Sequence, residues 1–141
     1  LPPVKTELPD DGAYGWVVSK GDPALASAGR LDILWGTPDF LSGLLVVDCS
    51  AGAFVHNFLA YGPDSTTPPP NTSFAPRAEG GWRFAGSSAG TGSWSGTIVP
   101  WVDGSFIGTI EFTPPSTAPC AAVTKTYEFA ASRAFGFGET P

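Results

Sequence analysis

The chain has 141 residues and a net charge of −6, from 13 acids and 7 bases, and its charged residues make up only 14% of the whole. Scattered acidic charge with no basic stripe excludes nucleic acid as an expected partner, and no apolar run is long enough to span a bilayer as a helix, so no membrane span is expected. Glycine at 18 and proline at 15 would suggest low complexity if apolar residues were scarce, but 42% of the chain is hydrophobic, so this punctuation reads as the separation of many short buried strands.

The chain starts at Leu1 and contains no methionine, from which processing upstream, most simply removal of a signal peptide, is expected. Residues 1–12 read as an extended N-terminal arm in which Val4, Thr6 and Leu8 alternate with Lys5 and Glu7. Prolines on both sides confine such a strand to a sheet edge, or to the edge of a neighbouring molecule's sheet. Residues 13–135 read as one β domain and residues 136–141 as a tail.

Within that domain Tyr14 to Ser19 is the first core strand, and Lys20-Gly21-Asp22-Pro23 ends it. Ala24 to Gly29 is ambiguous and compatible with a helical turn. Arg30 to Trp35 alternates, which places Leu31, Ile33 and Trp35 on one side, and Gly36-Thr37-Pro38-Asp39 breaks the strand. Leu44-Leu45-Val46-Val47 is continuous enough to suit a strand buried on both faces, which delivers Cys49 to its end. Ala53 to Tyr61 is the expected partner of that strand, and it carries the chain's one histidine, His56, on the face of Phe54 and Phe58. Gly62 to Ser73 reads as a polyproline-like surface loop, within which Asn71-Thr72-Ser73 is a candidate glycosylation sequon. Gly80 to Phe84 begins another strand, and Lys125 to Phe135 is the last.

Between these lies an internal repeat. Ser93-Trp94-Ser95-Gly96-Thr97-Ile98 returns as Ser105-Phe106-Ile107-Gly108-Thr109-Ile110, with Asp103-Gly104 between the copies, as in a β-hairpin. Strand alternation assigns Trp94, Gly96 and Ile98 to the core with Phe106, Gly108, Ile110 and Phe112. Only an odd loop keeps both apolar sets together, and three residues with a left-handed Gly104 meet that condition. Gly96 then opposes either Gly108 or Ile110. Paired glycines inside strands mark a close approach, either by an aromatic ring or by a ligand in a groove.

Seven to nine short strands without a helix give an all-β fold: an antiparallel sandwich, jelly-roll or immunoglobulin-like, with a small closed barrel as the alternative. Cys49 and Cys120 are expected to be bridged, closing a long loop in an oxidising, extracellular compartment. With one histidine and no Cys-x-x-Cys, neither metal nor cofactor is expected.

The functional expectation leans away from catalysis. A nucleophile would need His56 as its base with Asp48 to orient it, and no Gly-x-Ser-x-Gly elbow accompanies them. The first expectation is a secreted structural subunit of a filament or surface layer, whose arm adds a strand to another copy. The alternative is a carbohydrate-binding module using Trp101, in the hairpin loop, and Trp94, because five tryptophans offer rings on which polysaccharide faces can stack. A small barrel enzyme with an apolar pocket is the third.

Overall fold

In the computed structural model, turn residues cut the chain into nine strands: β1 (Gly12–Lys20), β2 (Ala28–Leu34), β3 (Thr37–Cys49), β4 (Gly52–Tyr61), β5 (Thr72–Pro76), β6 (Trp82–Ser88), β7 (Gly92–Pro100), β8 (Phe106–Thr113) and β9 (Lys125–Phe135). The structure describes residues 11–20, 27–62, 72–101, 103–121 and 123–135. The proposed arm residues Val4, Thr6 and Leu8, the sequon Asn71 and the tail 136–141 lie outside them. No helix occurs among the described residues.

All nine strands belong to one antiparallel sheet in the order β4-β3-β2-β1-β9-β8-β7-β6-β5. It consists of two meanders, β1 to β4 and β5 to β9, joined where the first strand pairs with the last. The all-β reading holds. The ladder, however, is a single open sheet: its two edges, β4 and β5, lie against each other without pairing. Curling of the sheet brings strands that are distant in the pairing order together across the interior. The Trp94 indole N–H on β7 donates to the Leu59 carbonyl on β4 at 2.8 Å, and the Tyr127 hydroxyl on β9 donates to the Val46 carbonyl on β3 at 2.7 Å. Each aromatic side chain thereby satisfies a backbone acceptor that the core would otherwise bury alone.

The repeated hairpin shows why the register is unique. Trp94, Ile98, Phe106, Ile110 and Phe112 are buried, while Ser93, Ser95 and Glu111 face outward. Gly96 opposes Ile110 and Ile98 opposes Gly108, which settles the alternative that alternation left open. The loop closes as expected, with the Trp101 N–H donating to the Ser105 carbonyl at 2.9 Å, the Gly104 N–H to the Trp101 carbonyl at 3.1 Å, and Gly104 at φ 87°. The Asp103 carboxylate accepts from the Ser105 hydroxyl and backbone N–H, and these bonds hold its carboxyl below the ordinary carboxylate range.

Large rings lie over the glycines, and each ring comes from the neighbouring strand. Phe84 covers Gly96, Phe129 covers Gly108, Trp94 covers Gly86, and Trp16 covers both Gly29 and Gly43. Each of the four rings sits on the glycine directly opposite it in the ladder, and Trp16 also reaches one strand further because Gly43 opposes Gly29. A Cβ at any of these five glycines would come within 3.0 Å of a ring atom, so the missing methyl group is the space the ring fills.

Four expectations need correction. Trp35 is not a core residue of β2: it occupies the β2–β3 turn and is 72% exposed. The break there is Trp35-Gly36 alone, and Thr37, Pro38 and Asp39 already belong to β3, with Pro38 at a register shift where a missing N–H does no harm. β3 is covered on one face only, since Leu44 is exposed on the other. Finally, Thr72–Pro76 is a strand, whose Phe74 opposes Phe84. Its short apolar alternation is hidden beside a polyproline run.

The expected bridge is present. Cys49, at the end of β3, is joined to Cys120 in the β8–β9 connection, with Cα atoms 5.9 Å apart and a sequence separation of 71. Reduction, or a Cys49→Ser/Cys120→Ser pair, is expected to lower stability to urea by about 2–4 kcal/mol. Gly43→Ala and Gly108→Ala are each expected to lower it by about 1–3 kcal/mol through overpacking. Gly15→Ala, where a methyl group meets nothing within 4 Å, is the control and should leave the urea midpoint nearly unchanged.

Candidate binding surface

Strict antiparallel succession decides which loops share an end of the sheet. The β2–β3, β5–β6 and β7–β8 turns lie at one end, and the β3–β4, β6–β7 and β8–β9 connections, with the disulfide, lie at the other. Each turn at the first end brings a tryptophan with it. Trp35 is in the β2–β3 turn, Trp82 opens β6 directly after the β5–β6 turn, and Trp101 begins the β7–β8 turn. Phe40 and Tyr61, paired across β3 and β4 with ring centroids 5.1 Å apart and half-buried, belong to the same end.

Trp35 is the most exposed of these rings, and its backbone is unusual. At φ 53°, followed by Gly36 at φ 76°, it occupies the first central position of a two-residue hairpin turn in which both residues are left-handed. That geometry favours Asn, Asp or Gly. A side chain with a Cβ is disfavoured there by roughly 1–2 kcal/mol, and this ring recovers little of that by burial. The turn is fixed from outside: the Gly36 N–H donates to Asp11 Oδ1 at 3.0 Å and the Thr37 hydroxyl to the Leu34 carbonyl at 3.0 Å. Trp82 and Trp101 are half-buried, and Trp82 packs against the core.

The two tryptophans singled out from sequence part company. Trp101 stands at the turn end. Trp94 is buried in the interior and stacks near Phe112, although its edge borders a cleft at the β4/β5 seam. The residue that sequence reasoning passed over is Trp35, and a signal existed: a Trp-Gly dipeptide between two strands reads as a two-residue hairpin loop once the second strand is started at Thr37.

The acid–base pair considered for catalysis is not brought together. His56 opposes Leu45 and faces inward, while Asp48 opposes Ala53 on the outer face. The imidazole lies 5.4 Å from the Phe112 ring, and its Nε2 is buried without a hydrogen-bond partner. Burial holds the His56 pKa below its ordinary value. Among the described residues no group of three or more His, Cys, Asp or Glu could hold a metal ion, and no helix is long and apolar enough to cross a membrane.

No family model matches the chain, and neither a curated protein nor a solved structure is significantly similar to it.

His56 supplies a pH test of the interior. Its folded-state pKa lies below the ordinary value of 6.5, so acidification protonates the unfolded chain first, and stability falls as pH drops through 6.5 towards the folded-state value. Urea midpoints measured between pH 8 and pH 5 should show this loss in the native protein. In His56→Gln the histidine share of the loss should vanish, leaving a shallower profile.

Proposed function

We propose that the protein is a non-catalytic extracellular domain that binds neutral polysaccharide on the tryptophans at the turn end of its sheet. The observation that carries this reading is Trp35: a large apolar ring held in a left-handed turn and 72% exposed. Neither turn chemistry nor core packing accounts for that choice of residue, and an indole face offered to solvent suits the apolar face of a sugar ring. Trp101 and the Phe40–Tyr61 pair at the same end would widen the contact. The low charge density of the chain, 14%, fits a neutral ligand, and the disulfide is compatible with an oxidising compartment.

The alternative is a structural subunit that links copies when the residue 4–8 arm adds a strand to a neighbour's sheet. Strand addition needs a free edge. The edges here are β4 and β5, which lie against each other without pairing, whereas a strand inserted between them needs about 9.5 Å, two ladder spacings. The seam would have to open to admit it, so the polysaccharide reading is preferred.

Pull-down on insoluble cellulose, chitin and xylan tests the proposal. Binding to at least one is expected, reduced about tenfold or more in Trp35→Ala and by less in Trp101→Ala. Trp35→Asn, which restores the Asn-Gly turn, should abolish the Trp35 contribution to binding while raising stability by about 1 kcal/mol. A flat response to all three polysaccharides overturns the reading.

A further inference from the structure

The seam between β4 and β5 has a consequence away from the turn end. Where a ninth ladder, between β4 and β5, is missing, the sheet leaves a cleft of about 190 Å³. Phe58, Leu59 and Trp94 make up the apolar part of its lining, and Asn57, Thr72, Ser87, Ser88 and Thr91 the polar part. None of the described residues lining it is charged. The cleft is held open from both sides. Trp94 cannot move into it, because its indole N–H is bonded to the Leu59 carbonyl and its ring fills the space over Gly86. Phe58 is likewise fixed among Trp16, Phe84 and Trp94.

We propose that this seam cleft is a binding site for a small uncharged molecule with a single ring. Size sets the limit: a dry apolar cavity of about 150 Å³ accommodates one benzene-sized ring, and the seam cleft is little larger. Chemistry sets the class. Apolar walls reward an apolar ring, the polar residues of the lining offer one or two hydrogen bonds to a neutral substituent, and a carboxylate or ammonium would find no counter-charge among the described lining residues and would lose hydration. The site is independent of the tryptophans at the turn end. Thr72, the β6–β7 turn and the first residues of β7 lie towards the disulfide end of the sheet, so the two sites can fail separately.

Titration of the ¹⁵N-labelled protein with p-cresol tests the proposal, with benzoate as the charged comparison. The expected result is a saturable shift of the Trp94 indole N–H signal and of the Thr72 and Thr91 amides, with benzoate at least tenfold weaker. The Trp94 signal is assigned by its loss in Trp94→Phe. Thr91→Phe and Ser88→Phe, both at the β6–β7 turn, should fill the cleft and weaken p-cresol at least tenfold while leaving the remaining spectrum in place. Linear, non-saturating shifts spread over the sheet would overturn the site, as would undiminished binding in both filled variants or equal affinity for benzoate. Polysaccharide binding should be unaffected in either filled variant, so failure of the turn-end reading and failure of the seam site are read in different assays.

Discussion

The fold depends on a side-chain arrangement repeated across the sheet: a large aromatic ring laid over a glycine on the opposing strand. Trp16, Phe84, Trp94 and Phe129 each use it, and together they cover five glycines on the inner face. Glycine inside a strand weakens that strand when considered alone. Here the absent Cβ gives the ring room to lie flat on the neighbouring backbone, so that a single curled sheet can fill its own interior without a second layer. The same contacts fix the register, because a slip of one residue would drive each ring into a side chain and turn Trp94, Ile110 and Phe112 outward.

The open seam follows from how that interior is filled. Phe58 and Trp94 meet between β4 and β7, and the Trp94 indole takes the Leu59 carbonyl that a further ladder would otherwise use. A side chain thus substitutes for a missing strand-to-strand bond, and β5, only five residues long and ending in Pro76, is too short to continue the ladder along the ten residues of β4. The short β5 edge, its terminal proline and the close approach of the two edges are also features that discourage unplanned edge-to-edge association.

The two ends of the sheet have different characters. At one, the disulfide ties the β3–β4 tip to the β8–β9 connection. At the other, the turns carry tryptophans and a left-handed non-glycine residue, with backbone strain concentrated in a turn that the neighbouring Asp11 and Thr37 hold in place. Local strain of this kind persists where the surroundings fix it, and binding surfaces are a common place to find it. His56, by contrast, is inward-facing, set against Phe112 and on the opposite face from Asp48.

Much of this was legible in the residues. Period-two alternation named the buried faces of β7 and β8 and placed Leu31 and Ile33 of β2 together, the Asp103-Gly104 turn chemistry gave the hairpin loop, and two cysteines in a chain of this composition gave the bridge. These features are local, or are fixed by a side-chain period that no packing can alter. Three-dimensional structure decided the rest. The choice of Ile110 rather than Gly108 opposite Gly96 depended on which ring would lie over which glycine, and the exposure of Trp35 depended on a turn that began one residue earlier than glycine and proline content suggested. The cleft beside Trp94 exists because two strands remote in sequence approach without pairing. No local pattern encodes that approach, since it is set by the summed curvature of nine strands around one core.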